Sequence, residues 1–252
     1  MTDHPLPWLV HGVVAATDIA LIRDVKDVFG LGTIAMAVED GLAMVASLVP
    51  DSIDLAAAFA DQDHVAKIAL AHHQILAEIC VGVDVVPVRL GSAISGADKA
   101  RDLIREHGSR YRISLRLIAG LVEFAVVISD DPSRPAAAAA ARPADGRGYL
   151  KARAALVSDV QARPQRVAAT IAALSAMLSA ETVTQAERPL PRAPLAPRRY
   201  FDATCLVERT RVAAFLERSG NAAGLISEER LTLTVRGPWP AYSLAGEAGS
   251  LS

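Results

Sequence analysis

The sequence predicts an α+β protein of two domains, each a mixed sheet with helices, and three observations predict it. The chain has 252 residues, which suits one large domain or two ordinary ones, taking about 150 residues per domain as the norm. Its first half reads as strand, helix, two hairpinned strands, helix and strand, the order β-α-β-β-α-β. The same order recurs from Leu121 to Arg236, on element order alone and without a residue-level repeat. Apolar residues at 52% and charged residues at 21% exclude disorder over most of the chain.

Each element has a local reason. Trp8 to Val14 is a short apolar run with one histidine and reads as a strand. Thr17 to Phe29 reads as a helix or helical loop ending near Gly30. Ile34, Met36 and Val38 alternate with smaller residues, Asp40-Gly41 supplies the two positive-φ positions of a tight turn, and Leu42 to Leu48 returns as the second arm of a hairpin. Asp61 or Asp63 caps a helix on which Val65, Ile68, Ala69, His72, Ile75, Leu76 and Ile79 repeat at helical spacing, as far as Gly82. Val83 to Leu90 is strand-like, and two short helices are expected to meet around Gly108 between Ala97 and Ala119. Leu121 to Ile128 is apolar on both faces except at Glu123, as in a strand inside a sheet.

The domain boundary is expected near residue 118, with an N-terminal domain at 1–118 and a C-terminal domain at 119–244. A flexible linker is expected near 130–147, where Pro, Ala, Arg and Gly dominate. Tyr149 to about Ala180 follows as a long helical stretch, kinked or cut at Pro164. Thr182 to Glu187 is a weak strand, and Pro189 to Pro197 is an extended, proline-rich connection. Tyr200 to Val207 places Phe201, Ala203, Cys205 and Val207 on one face of a strand, and Val212, Phe215 and Leu216 mark a helix ending near Gly220. Leu231, Leu233 and Val235 alternate with polar residues in a strand with one wet face. Residues 245–252 read as a disordered tail.

With 26 basic against 28 acidic residues and a net charge of −2, the chain has no overall cationic surface for nucleic acid or an anionic membrane. The two cysteines, Cys80 and Cys205, lie far apart without a CxxC or Cys/His ligand cluster, so neither a disulfide framework nor a metal site is expected. The N-terminus does not read as a signal peptide, and no apolar run is long enough for a transmembrane segment. A soluble, cytoplasmic protein is expected.

Few residues stand out chemically. His64, His72 and His73 precede Glu78 and Cys80 on one helix, but no HExxH pattern completes a ligand set, and His72 sits in the centre of the apolar stripe as a core or interface histidine would. Arg89 and Glu123 are charges within apolar strands and form a candidate structural ion pair. An acid-base role for Glu123 has no second carboxylate or histidine at a telling spacing to support it. Gly30-Leu31-Gly32 and Gly91-Ser92 lack the remaining residues of a phosphate-binding loop, and no serine lies in a GxSxG context. No cofactor and no catalytic residue is expected. Gly237 to Ser243 brackets Trp239 with two prolines, either as a tail folded over the core or as a stiff, aromatic docking element.

That segment, Gly237 to Leu244, resembles the GPWPPYSF ending of the gas vesicle protein F/L family (GvpF/GvpL), departing from it at Ala241 and Leu244. Other blocks agree in order: Pro87 to Gly91 is similar to the family's PLRFG, with Leu90 replacing the aromatic, and His72 stands fifteen residues before that proline. Gly120, Val122 and Glu123 are similar to its G-x-VE strand, and Gly148-Tyr149-Leu150 with Arg153 to its GYLxxR helix start. The resemblance implies an N-terminal α+β domain and a C-terminal ferredoxin-like domain. It also implies a non-enzymatic accessory protein of gas vesicle assembly, cytoplasmic and associated with the vesicle. Its partners would be the hydrophobic shell protein of the GvpA type and other accessory proteins, with His72, Arg89, Trp239 and Tyr242 as candidate partner-binding residues. Two other readings remain open. A ferredoxin-like enzyme or small-ligand sensor would need a polar pocket around Glu123 and Arg89. An RNA-binding module would need aromatics beside basic residues on its central strands, and the strands around Val122 and Leu233 show no stacking platform.

Overall fold

The computed structural model describes residues 6–131, 146–190, 197–227 and 229–245. Most of the expected linker at 130–147, the middle of the connection at 189–197 and all but the first residue of the expected tail at 245–252 lie outside the described residues. By internal contacts the chain divides into two compact units, Met1–Glu123 with Gly237–Ser252, and Phe124–Arg236.

In the first unit, β1 (Trp8–Ala15), α1 (Ile19–Ile22), β2 (Ala35–Glu39) and β3 (Leu42–Leu48) are followed by α2 (Leu55–Ala60), α3 (Gln62–Cys80), β4 (Val85–Pro87), β5 (Ala93–Ile94) and α4 (Ala97–Leu117). The sheet runs β2-β3-β1-β4, with the short β5 also paired to β1. The hairpin forms at the expected turn, Asp40 and Gly41 both having positive φ (48° and 74°). Central β1 is buried almost throughout. It tolerates no side chain at Gly12, where an added Cβ would lie 2.7 Å from Val85 Cγ2 and 2.9 Å from the Val86 carbonyl oxygen. Its register against β3 shifts between Val10 and Gly12, a bulge at His11.

Helix α4 is continuous where two helices were expected around Gly108. Gly108 is a packing position within the buried stripe of Ala100, Leu103, Ile104, Tyr111 and Ser114. A Cβ there would meet Arg112 Nη1 at 3.1 Å and Leu42 Cδ1 at 3.7 Å. The region expected to be helical from Thr17 to Phe29 is helical only to Ile22, because Asp27 Oδ1 captures the Phe29 and Leu31 N–H groups in a local turn.

The second unit contains β6 (Leu121–Asp130, from Phe124 onward), α5 (Gly146–Ser179), β7 (Thr184–Glu187), β8 (Arg199–Glu208), α6 (Val212–Ser227) and most of β9 (Leu231–Trp239). Its sheet runs β7-β8-β6-β9. Numbered within its own unit, each main sheet therefore follows the order second, third, first, fourth. Phe201, Ala203, Cys205 and Val207 are buried, as the alternation on β8 predicts, and Phe124 packs on Phe215 with centroids 4.8 Å apart. Helix α5 continues through Pro164. The residues bracketing the proline are tied down: Arg163 donates to Asp130 and to the Glu229 carbonyl, and Arg166 to Glu229 and Asp159. Helix α6 likewise runs past the stop expected at Gly220. Buried Glu181 is matched by Arg211 and Arg218, and buried Asp202 by Arg188 and Arg199, so both carboxylates keep partners of opposite charge.

Candidate functional site

The first unit gathers the sequence-predicted residues around α3. After β9, the chain ends its described part in α7 (Tyr242–Ala245), a short turn of helix within the first unit. Trp239 meets His73 edge-on at 5.3 Å between centroids, and the Tyr242 ring stacks on His73 at 6.2 Å with its hydroxyl 3.3 Å from His73 Nδ1. Cys80 Sγ faces the Pro238 carbonyl at 3.9 Å, and Ala241 and Ala245 are buried. Trp239 is thus packed on His73, the neighbour of the expected His72, and Tyr242 keeps one side to solvent.

Glu123 and Arg89 part company. The Glu123 carboxylate accepts the Ser243 N–H at 2.9 Å, which ties the C-terminal segment to the start of β6. Arg89 is exposed, and the expected Arg89–Glu123 bridge is not among the ion pairs of the described residues. The physical reason is that the buried Glu123 carboxylate takes a charge-assisted main-chain donor, which spares the cost of desolvating a guanidinium.

His72 belongs to a buried polar chain that the sequence did not reveal. The bulge in β1 aims His11 at α3, where its Nδ1 lies 2.9 Å from His72 Nδ1, while its Nε2 lies 2.7 Å from Ser47 Oγ. Ser47 Oγ also accepts the Val28 N–H at 2.9 Å. Each ring nitrogen of His11 therefore has a side-chain partner, His72 on one side and Ser47 on the other. Burial, reinforced by the facing His72, lowers the His11 pKa to about 3. Burial, with the nearby His73 adding to it, lowers that of His72 to about 4. Both rings are neutral near pH 7. Such a chain ties α3 to the sheet.

Beside α3 the surface opens into a groove of about 490 Å³. Its walls are Val28, Phe29, Ile53, Ala57, Ala58 and Ile68, and its rim carries Asp54, Asp61, His64 and Lys67. Two caps set this geometry. Asp54 accepts the Ala56 and Ala57 N–H groups at the start of α2, and Asp61 accepts the His64 N–H at the start of α3. The alanines of α2 are too small to fill the space above the cluster of Leu9, Val49 and Ile68, and Phe29, Ile53 and Phe59 stay partly exposed around it. Among the described residues no group of three or more His, Cys, Asp or Glu side chains is placed to hold a metal ion, and Cys80 and Cys205 are buried.

A model of the family described as gas vesicle synthesis protein GvpL/GvpF matches residues 8–245. No curated protein sequence matches the chain. Among solved structures, the crystal structure of the gas vesicle protein GvpF from Anabaena sp. PCC7120 is similar with a TM-score of 0.62 and 14% identity, covering 95% of this chain and 96% of that one. That of GvpF from Microcystis aeruginosa is similar with a TM-score of 0.61 and 14% identity, covering 95% and 99%. At such identities the two structures establish a shared α+β fold.

Proposed function

Because the chain belongs to the gas vesicle synthesis protein GvpL/GvpF family and so has an accessory role in gas vesicle formation, we propose that it acts by binding and not by catalysis. It holds the hydrophobic shell protein, and other accessory proteins, while the vesicle wall nucleates or grows. A subunit with one water-avoiding face aggregates unless that face is covered before it joins the wall. The observation that carries this reading is the groove beside α3, whose apolar walls and partly exposed Phe29, Ile53 and Phe59 suit the apolar side of a helix or strand. His72 serves this surface indirectly, by fixing α3 to the sheet through His11 and Ser47. Trp239 and Tyr242 brace the same helix through His73. Among the described residues no helix is long and apolar enough to cross a membrane, and the reading places the protein in the cytoplasm beside the growing vesicle.

The test is capture of detergent-solubilised shell protein on the immobilised chain. Exposed Ala57, on the groove wall, is changed to Trp to fill the space without disturbing α2. Wild type is expected to retain shell protein and Ala57→Trp to lose most of it with an unchanged melting temperature; equal capture by both removes the groove from the account.

A further inference from the structure

Residues 25–34 lie in the connection between α1 and β2, and most of their hydrogen bonds stay within the loop. The Ile34 N–H donates to the Val25 carbonyl at 2.9 Å and the Asp27 N–H to the Gly32 carbonyl at 3.2 Å, while Asp27 Oδ1 accepts the Phe29 and Leu31 N–H groups. Val25 and Ile34 are buried at the base, and Leu31 at the tip is 64% exposed. Between base and tip, Val28 and Phe29 form one wall of the groove and pack on the cluster of Leu9, Val49 and Ile68. Among the hydrogen bonds of the described residues, the one that carries this wall across to the sheet runs from the Val28 N–H to Ser47 Oγ at 2.9 Å.

Ser47 is fully buried on β3, and the same hydroxyl lies 2.7 Å from His11 Nε2, whose Nδ1 partner is His72 at 2.9 Å. His72 stands one turn beyond Ile68 on α3, and Ile68 is the wall that α3 gives to the groove. An unbroken polar chain thus joins the loop wall to the α3 wall by way of β3 and β1. Apolar contact is non-directional and holds a wall only loosely in place, whereas a buried hydrogen bond fixes both distance and direction. We infer that Ser47 is a positioning residue of the groove: its hydroxyl holds the Val28–Phe29 wall at a set distance from Ile68 and so sets the shape that an apolar occupant meets. Ser47 itself touches no occupant. Without its oxygen the Val28 N–H must turn to another acceptor, and the wall moves with it. The inference rests on the proposed function, since it concerns the same groove.

The experiment reads the wall directly. The chain has five phenylalanines; Phe29 and Phe59 pack at the groove, whereas Phe124, Phe201 and Phe215 belong to the second unit. The full chain is labelled with fluorophenylalanine, and its fluorine NMR spectrum is compared between wild type, Ser47→Ala and Ser47→Thr, which keeps the hydroxyl. Ser47→Cys, which keeps the volume with a poorer acceptor, takes the place of an alanine variant that does not fold. In Ser47→Ala the Phe29 signal is expected to shift or broaden while the three signals of the second unit stay. Half-maximal capture should need about tenfold more shell protein, and Ser47→Thr should restore both readings. Phe215→Leu lowers stability from the second unit and should capture as wild type does. An unmoved Phe29 signal in Ser47→Ala overturns the proposal, as does a moved signal with unchanged capture, or an equal loss of capture in Phe215→Leu. Failure of wild type to capture shell protein counts against the proposed function, and the Phe29 signal still decides whether Ser47 holds the wall.

Discussion

Acidification perturbs the buried histidine pair without any mutation. Both rings are neutral when folded, His11 with its pKa lowered from 6.5 to about 3 and His72 from 6.5 to about 4. The unfolded chain therefore binds more protons than the native one at any pH from about 6.5 down to about 3, and stability falls as pH falls through that range. A displacement of one pH unit below the unfolded pKa is worth about 1.4 kcal/mol per group, so going from about pH 6.5 to pH 5 removes about 2 kcal/mol per histidine and about 4 kcal/mol for the pair. Most carboxylates contribute only nearer their ordinary range, so this window is largely the histidines' own. Urea unfolding at matched ionic strength between about pH 7 and pH 5 measures the loss, and ring-nitrogen NMR follows the same residues directly. A stability that stays flat over this interval, or either ring titrating with a midpoint above about 6, refutes the reasoning.

Other perturbations test the remaining contacts. Ser47→Ala strands the His11 ring nitrogen and the Val28 N–H together, and urea unfolding should show a loss of about 1–3 kcal/mol for each group left unpaired. Gly12→Ala forces a methyl to within 3 Å of the Val86 carbonyl and Val85, and calorimetry should show a destabilisation of about 1–3 kcal/mol. Trp239→Ala removes the ring that packs on His73. A loss of about 2 kcal/mol, seen as a melting temperature lower by roughly 4–8 °C, is expected, together with weaker capture of shell protein. If both values are unchanged, the C-terminal segment has no special part in the site.

Local signals were legible in the sequence wherever the determining chemistry is local. The Asp40-Gly41 turn, the Asp61 cap and the buried stripe of α3 depend on residues a few positions apart, and the structure places them as expected. Gly108 misled because glycine is read first as a helix breaker, although its place in line with Ile104 and Tyr111 continued a buried stripe that no break interrupts. The candidate site was less legible. His11 and His72 are sixty-one residues apart, and only a bulge, invisible in hydropathy, turns one toward the other. The groove depends on α2, whose six residues are too few to show a period, although Asp54 three residues before Ala57 was a cap signal that could have been read. Glu123 was recognised as a charge needing a partner, but the partner is a backbone N–H some 120 residues away, which no side-chain inventory could suggest.

The central claim is that this chain shields an apolar building block by stoichiometric contact. It is tested most directly by diluting shell protein out of denaturant and recording light scattering as the chain is added. Scattering should fall in proportion to the chain present and level off near equivalence, while Ala57→Trp leaves it high. Undiminished scattering at an excess of wild-type chain would contradict the account.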